Sequence, residues 1–396
     1  MKKKAVLAYS GGLDTTFCLN YLAVEKQLDV ITVLANTGGF NENELSRIEQ
    51  QALQMGAVRH FNIDISEEYF DKCIKYLLYG NILRNGNYPL SVSSERVFQA
   101  IAVVKKKKKE NACCIAHGCT SAGNDQVRFD MIFQTLAPEI EILSPVRDLG
   151  LSREAEIEYL KKNGIEMNWE KHPYSINKGL WGTSIGGKET LTSHLPLPES
   201  AFPSKLKETK EKECVVEFEN GSPAAIDNTR CTAVNIIKKL NELAAPYAVG
   251  RGIHTGDTII GIKGRVGFEA SAPVILTEAH KTLEKHVLSK WQLYWKEILG
   301  NWYGMHLHEG LYLEPVMRDI EKFLEHSQQR VSGKVHLRLR PYTFEITGIS
   351  SPYDLMKAGG TKYGEETKAW TPEEVKGFIK IMANQQKNYH SAKNND

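Results

Sequence analysis

Six residues near the start of the chain, Ser10-Gly11-Gly12-Leu13-Asp14-Thr15, are of the types needed to grip a phosphate. Paired glycines let backbone N–H groups approach an anion closely, and a helix's first turn adds unpaired donors and the positive dipole end. The flanking residues supply that setting. An apolar run, Ala5 to Tyr9, precedes the turn, and Leu13, Phe17, Tyr21 and Val24 follow at helical spacing. A strand, a glycine turn and a helix N-terminus are expected in that order. A Walker loop would place Gly-Lys-Ser/Thr here, its lysine reaching the terminal phosphates. Asp14-Thr15 stand there instead, with no lysine.

A second cluster lies at Ala116-His117-Gly118-Cys119-Thr120-Ser121-Ala122-Gly123-Asn124-Asp125-Gln126-Val127-Arg128-Phe129. Gly118 and Gly123 bracket small polar residues, and Asn124-Asp125 reads as the N-cap of a helix. A cap accounts for one polar side chain, whereas Asn, Asp, Gln and Arg crowd within five residues. The lysine-free pattern Ser-Gly-Gly-x-Asp-Ser/Thr resembles the pyrophosphate loop of the ATP-pyrophosphatase superfamily. That resemblance implies attack at the α-phosphorus of ATP, an adenylate and release of pyrophosphate.

The elements that must hold these residues follow from periodicity. Apolar runs at Val6–Ala8, Val30–Leu34, Val58–Ile63, Cys113–Ala116 and Ile140–Leu143 read as strands. Helical stretches are expected near 13–26, 42–55, 66–79, 94–110 and 124–136, with Gly56 after a helix end at Met55. This alternation describes an α/β fold, a doubly wound parallel sheet, over residues 1–165, and the resemblance to pyrophosphate-loop enzymes implies that it is of the adenine nucleotide alpha hydrolase kind. Ligands in such sheets bind beyond the carboxyl ends of the strands, where both clusters fall. The pattern changes near Asn168. A second, α+β domain is expected over 166–365, with a hairpin at Asn220-Gly221. It also holds a helix at Thr232–Leu243, glycine-rich β segments at Gly250–Gly256 and Gly261–Gly267, and a long amphipathic helix over Thr277–Leu299. A further helix at Leu313–Ser327 and strands at Val331–Leu339 and Tyr342–Ile346 complete it. Residues 366–396 form a helical tail, with Val375, Phe378, Ile379 and Met382 at helical spacing over Thr371–Asn388.

Composition sets the limits. The 396 residues carry a formal net charge of +2, giving no strong attraction to nucleic acid or membrane. No apolar stretch approaches the ~20 residues that span a bilayer. The seven cysteines match no C-x-x-C spacing and read as reduced thiols, so a cytoplasmic location is the default. His306-Leu307-His308-Glu309 reads as a loop or surface segment, and no metal ligands are assigned. The run Lys105–Lys109 reads as the solvated end of a helix.

The chain as a whole resembles the argininosuccinate synthase family. The resemblance rests on Ala-Tyr-Ser-Gly-Gly-Leu-Asp-Thr at 8–15, Gly-Asn-Asp-Gln-Val-Arg-Phe at 123–129 and Tyr174-Ser175-Ile176. Gly250-Arg251-Gly252 and Gly267-Phe268-Glu269 extend it. It implies a homotetrameric ligase that joins citrulline to aspartate through a citrullyl adenylate, with ATP and Mg2+ and without a nucleophilic residue. Asp14, Asp125 and Arg128 would serve positioning and charge. The implied nucleotide site is Ala8, Tyr9, Ser10, Gly11, Gly12, Leu13, Asp14, Thr15, Thr16, Ala35 and Gly118. Thr120, Asn124 and Asp125 would bind aspartate. Tyr88, Ser93, Asn124, Arg128, Ser175, Ser184, Glu269 and Thr277 would form the citrulline pocket.

The sequence departs from the family at three places. Ser121-Ala122 replace a usual Gly-Lys, Pro89-Leu90-Ser91-Val92-Ser93 replaces Leu-Leu-Gly-Thr-Ser, and Thr277 stands where a tyrosine is expected. Two of these lie around the expected citrulline pocket, which opens the alternative of an N-acylated citrulline as acceptor. A tRNA-modifying pyrophosphate-loop enzyme would instead favour a cysteine pair, a zinc site or a basic extension, and none is evident. A glutamine-fed amide-forming relative would show a glutaminase signature, also not apparent. A nucleotide sensor would bind ATP yet release no pyrophosphate.

Overall fold

A computed structural model describes residues 2–167, 174–358, 364 and 369–392. The change of pattern at Asn168 lies outside them. The chain gathers into two bodies, Met1–Ser351 and Pro352–Asp396.

In the first body the expected alternation appears as β1 (Lys4–Ala8), α1 (Leu13–Val24), β2 (Asp29–Asn36), α2 (Glu42–Gln54) and β3 (Arg59–Asp64). Helices α3 (Ser66–Tyr69) and α4 (Lys75–Tyr79) flank a wider π turn over Phe70–Ile74. Then come α5 (Ser91–Glu110), β4 (Cys114–Ala116), α6 (Asp125–Leu136), β5 (Glu141–Leu143), α7 (Pro145–Asp148) and α8 (Arg153–Lys162). Helix α5 begins three residues before the expected 94, because Leu90 takes a left-handed φ of 60° and turns the chain straight into the helix. Its last turns hold the lysine run, with Lys105 bonded to Glu68 at 2.6 Å.

All pairings in this sheet are parallel, in the order β3-β2-β1-β4-β5. Val6 sits between Ile31 and Ile115, and all three are buried. Near-continuous apolar strands are what a sheet covered on both faces demands. The strand order reverses between β1 and β4. That switch point leaves a crevice beyond their carboxyl ends, and the Ser10 turn and the His117 loop both start there.

The chain continues through β6 (Tyr174–Gly179), β7 (Gly182–Gly187), β8 (Lys212–Glu219), β9 (Ser222–Ile226), β10 (Thr229–Arg230) and α9 (Ala233–Ala244). Next are β11 (Arg251–Asp257), β12 (Lys263–Glu269), α10 (Ser271–Val287), α11 (Lys290–His308), α12 (Pro315–Ser327), β13 (Gly333–Arg340) and β14 (Thr343–Ser350). These strands form antiparallel sheets in the orders β10-β9-β8-β13-β14 and β11-β12-β7-β6. Asn220 and Gly221 turn the β8–β9 hairpin with φ of 47° and 80°, the left-handed pair such a turn requires.

The single long helix expected over Thr277–Leu299 is instead two. Leu288 is extended, and Ser289 opens α11 with a capping box to Gln292. A serine with glutamine three residues on is itself a start signal, which the apolar periodicity running through it masks.

The second body contains α13 (Leu355–Ala358), α14 (Pro372–Met382) and α15 (Asn384–Ala392). Thr371 caps α14 as part of a capping box with Glu374. Described by itself, α14 leaves Phe378, Ile379 and Met382 exposed.

Candidate active site

The phosphate turn is held by side chains rather than by a side-chain cap. Gly11 takes a φ of +78°, and Gly12 precedes α1 with no side-chain bond to its first turn, so no cap occupies the first N–H groups of the helix. Thr15 Oγ1 donates to the Gly12 carbonyl at 3.2 Å. Behind the turn, Gln51 Nε2 donates to the Gly11 carbonyl at 3.0 Å and to Thr16 Oγ1 at 3.1 Å. Thr16 also bonds Tyr9 at 3.2 Å and is fully buried, which makes it a brace of the loop.

Beside it, His117 Nε2 lies 2.8 Å from Asp130 Oδ1, and its Nδ1 accepts from the Cys119 N–H at 3.2 Å. Those two bonds place the donor proton on Nε2. They fix Gly118 against α1, where an added Cβ would lie 3.0 Å from Thr15 and 3.1 Å from Asp14. Asp14 faces Glu156 of α8. Burial, then the Asp14 charge, pushes the Glu156 carboxyl up to about 8, and burial also raises Asp14.

At the start of α6 the arrangement differs from the expected cap. Asn124 makes no side-chain capping bond, and its Oδ1 accepts from the Ile259 N–H at 2.9 Å. Asp125 is clasped by two guanidiniums, with Arg96 Nε at 2.8 Å and Arg128 Nη1 at 3.0 Å. Burial would raise its carboxyl, and Arg96 and Arg128 more than offset this and hold it below the usual range. Arg128 also donates to the His308 carbonyl at 3.0 Å. Arg96 reaches Gln99 at 2.8 Å and Asn177 on β6 at 3.0 Å.

The glycine turn, the His117 loop and the start of α6 border one cavity of about 990 Å³ within the first body. It gathers Ala8, Tyr9, Ser10, Gly12, Leu13, Asp14, Thr15, Ala35, Gly118, Thr120, Asn124, Asp125, Arg128, Tyr88, Ser93, Ser175 and Ser184. Tyr88 stacks on His254 with ring centroids 5.1 Å apart. Gly11, Thr16, Glu269 and Thr277 are not on this lining. Glu269 is engaged by Arg251 at 3.1 Å and by the Ser204 N–H at 3.2 Å. Thr277 is 2 % exposed, within α10.

Among the lining or bracing residues that the sequence reading did not place in the site are Gln51, Glu95, Arg96 and His308. Arg96 had a faint signal, lying three residues beyond Ser93 on one helix face. His308 ends α11 and is buried on the cavity, contrary to the loop or surface expected for His306–Glu309. Burial first, then the Arg128 charge, drives its imidazole well below the ordinary value, so it borders the site as a neutral ring. Among the described residues, no group of three or more His, Cys, Asp or Glu could hold a metal.

The family models for the arginosuccinate synthase N-terminal HUP domain and C-terminal domain match residues 4–166 and 174–389. The chain belongs to the argininosuccinate synthase family. It is 38% identical over 383 residues to the argininosuccinate synthase of Methanocaldococcus jannaschii, covering 96% of each chain. The enzymes of Dictyoglomus thermophilum and Sulfurisphaera tokodaii are 36% and 37% identical, again over 96% of each chain. Argininosuccinate synthases are ligases that form carbon–nitrogen bonds, and this chain is such a ligase, with a nucleotide-binding pyrophosphate-loop domain.

Proposed function

We propose that this ligase joins L-citrulline to L-aspartate at the expense of ATP, in arginine biosynthesis. One observation carries the reading. A lysine-free glycine turn and the Asn124–Arg128 cluster border the same cavity at the switch point of a parallel sheet. In the first step the citrulline ureido oxygen attacks the α-phosphorus, and pyrophosphate leaves. In the second, the aspartate amine attacks the activated ureido carbon. AMP leaves and the amine sheds its proton to solvent.

The chain's own work is positioning and charge stabilisation. Backbone N–H groups of Ser10–Thr15 hold the outer phosphates, and Ala35 and Gly118 flank the nucleoside. Thr120, Asn124 and Asp125 take aspartate, and Arg128, Tyr88, Ser93, Ser175 and Ser184 take citrulline. Glu269 and Thr277 belong to that pocket only if the walls around α10 and β12 move.

Asp14 fits Mg2+, which uses one or two carboxylates together with phosphate oxygens. When bound it would offset the triphosphate charge. In this reading residues 1–165 carry the nucleotide, 166–365 complete the amino-acid pockets, and 366–396 form a tail. Exposed Trp291, Tyr294, Trp295 and Trp302 along α11 support assembly into a homotetramer. Free thiols at all seven cysteines support a reducing, cytoplasmic setting. No helix among the described residues is long and apolar enough to cross a membrane. The sequence neighbours do not favour the N-acylated acceptor, since all those named above are argininosuccinate synthases.

The deciding experiment supplies Mg-ATP, aspartate and citrulline and identifies the nucleotide product. AMP with pyrophosphate is expected. ADP with phosphate overturns the scheme, and ATP binding with no turnover leaves a nucleotide sensor.

A further inference from the structure

Glu95 is the one carboxyl on the α5 wall of the cavity among the described residues, and it has no assigned role. It is only 2 % exposed, yet it borders the cavity. Among the described residues its Oε1 has no hydrogen-bond partner. Arg96, next along the helix, does not quench it by contact. Its three nitrogens are committed to Asp125, Gln99 and Asn177. The opposing hairpin makes room for the carboxyl: a Cβ on Gly179 would fall 1.6 Å from Glu95 Oε1. Thr37, just past β2, lies near enough to the same carboxyl to favour its ionised form, though less than burial opposes it.

A buried carboxyl oxygen left empty is costly, so such a group is retained where something donates to it. Burial pushes the Glu95 carboxyl up to about 8. A carboxyl that resists ionisation suits a neutral partner better than an ammonium. The wall it stands on also carries Ser93 of α5 and Ser175 and Ser184 of β6–β7. The uncharged end of a ureido amino acid offers three N–H donors and no charge.

We propose that Glu95 determines acceptor specificity by accepting hydrogen bonds from the N–H groups of the ureido end of the acceptor amino acid. This rests on the reading of citrulline as acceptor and adds to it the group that recognises the ureido nitrogens.

The test uses the full chain with Glu95→Gln and Glu95→Ala. It compares KM for citrulline with Ki for Nδ-acetylornithine, in which a methyl replaces the terminal ureido NH2. The wild type should favour citrulline by about 10-fold or more, as expected when a site's acceptor would otherwise be left empty. In Glu95→Ala the ratio should collapse to about 3-fold or less, and Glu95→Gln, whose amide oxygen still accepts, should keep most of it. Equal weakening of both ligands in Glu95→Ala would mean a packing role and overturn the proposal. So would an effect confined to the KM for ATP. If Glu95→Ala does not fold, Glu95→Gln decides through its pH profile. The fall of citrulline KM as the carboxyl ionises and becomes the stronger acceptor should vanish in it, and a persisting fall overturns the proposal. A wild type that makes AMP with citrulline but keeps its ratio in Glu95→Ala removes this proposal alone. One that ignores citrulline removes the reading beneath it.

Discussion

Arg128 Nη1 donates to Asp125 Oδ1 at 3.0 Å, so the residue expected to hold one amino acid is bonded to the residue expected to hold the other. The family resemblance implies separate duties, Asp125 for aspartate and Arg128 for citrulline. The fold makes them one unit, with Arg96 closing the far side of Asp125 at 2.8 Å. Charge-assisted bonds of this kind are short and directional, and a planar fork presents fixed donors to two separated acceptors where an ammonium offers a single nitrogen.

Arg128→Lys follows from that unit. Arg128 meets Asp125 and the His308 carbonyl with two separate nitrogens, Nη1 and Nε, and a lysine would have to reach both with one. Transition-state stabilisation should fall by about 1.5–3 kcal/mol, the range for a hydrogen bond to a charged group. KM should rise for citrulline and for aspartate together. Steady-state kinetics with each amino acid varied in turn checks this, and a rise for citrulline alone would show that the two pockets act independently.

Gly118→Ala tests the nucleotide end. Its Cβ would press on Thr15 and on the Asp14 backbone at 3.0–3.1 Å, where backbone cannot yield as a flexible side chain can. The glycine turn should shift, and KM for ATP should rise by about 10-fold, equivalent to roughly 1.4 kcal/mol. The amino-acid KM values should change less. Nucleotide binding by calorimetry provides the measurement.

Glu156→Gln tests the carboxyl pair beneath the loop. Burial and Asp14 hold the Glu156 carboxyl near 8, above its ordinary 4.5. A raised acid favours the folded state at low pH, and that contribution fades as pH climbs through the folded value. The wild-type Tm should therefore fall between about pH 4.5 and about pH 8, and Glu156→Gln should flatten the fall. Glu95 titrates in the same window, so the double amide variant should be flatter still. Tm profiles identical to wild type would place the titration elsewhere.

Thr277→Val tests whether α10 contributes to the acceptor pocket. The Thr277 hydroxyl is buried, and among the described residues it has no hydrogen-bond partner. Removing it should stabilise the fold by about 1 kcal/mol, the cost of an unsatisfied buried polar group. KM for citrulline should be unchanged. Denaturant titration gives the first quantity and kinetics the second. A several-fold rise in KM would bring Thr277 into the pocket and require α10 to move.

The sequence by itself determined whatever depends on neighbours along the chain. The parallel sheet, the glycine turn before α1 and the Asn220-Gly221 hairpin were readable because strand period, helix period and left-handed turn residues are local properties. The phosphate turn and the Asn124–Arg128 cluster on the cavity lining could be named for a second local reason, since they lie in short motifs beyond strand ends. Tertiary structure decided what depends on distant segments. Gln51 braces a loop forty positions earlier in the chain, and Arg96 joins Asp125 to Asn177, eighty-one positions beyond it. Glu95 turns inward against Gly179, and His308 reaches the cavity from the end of a helix that periodicity had joined to its predecessor. Periodicity tells which face of an element is buried. It carries no information on which element buries that face, and a buried charge takes its role from that partner.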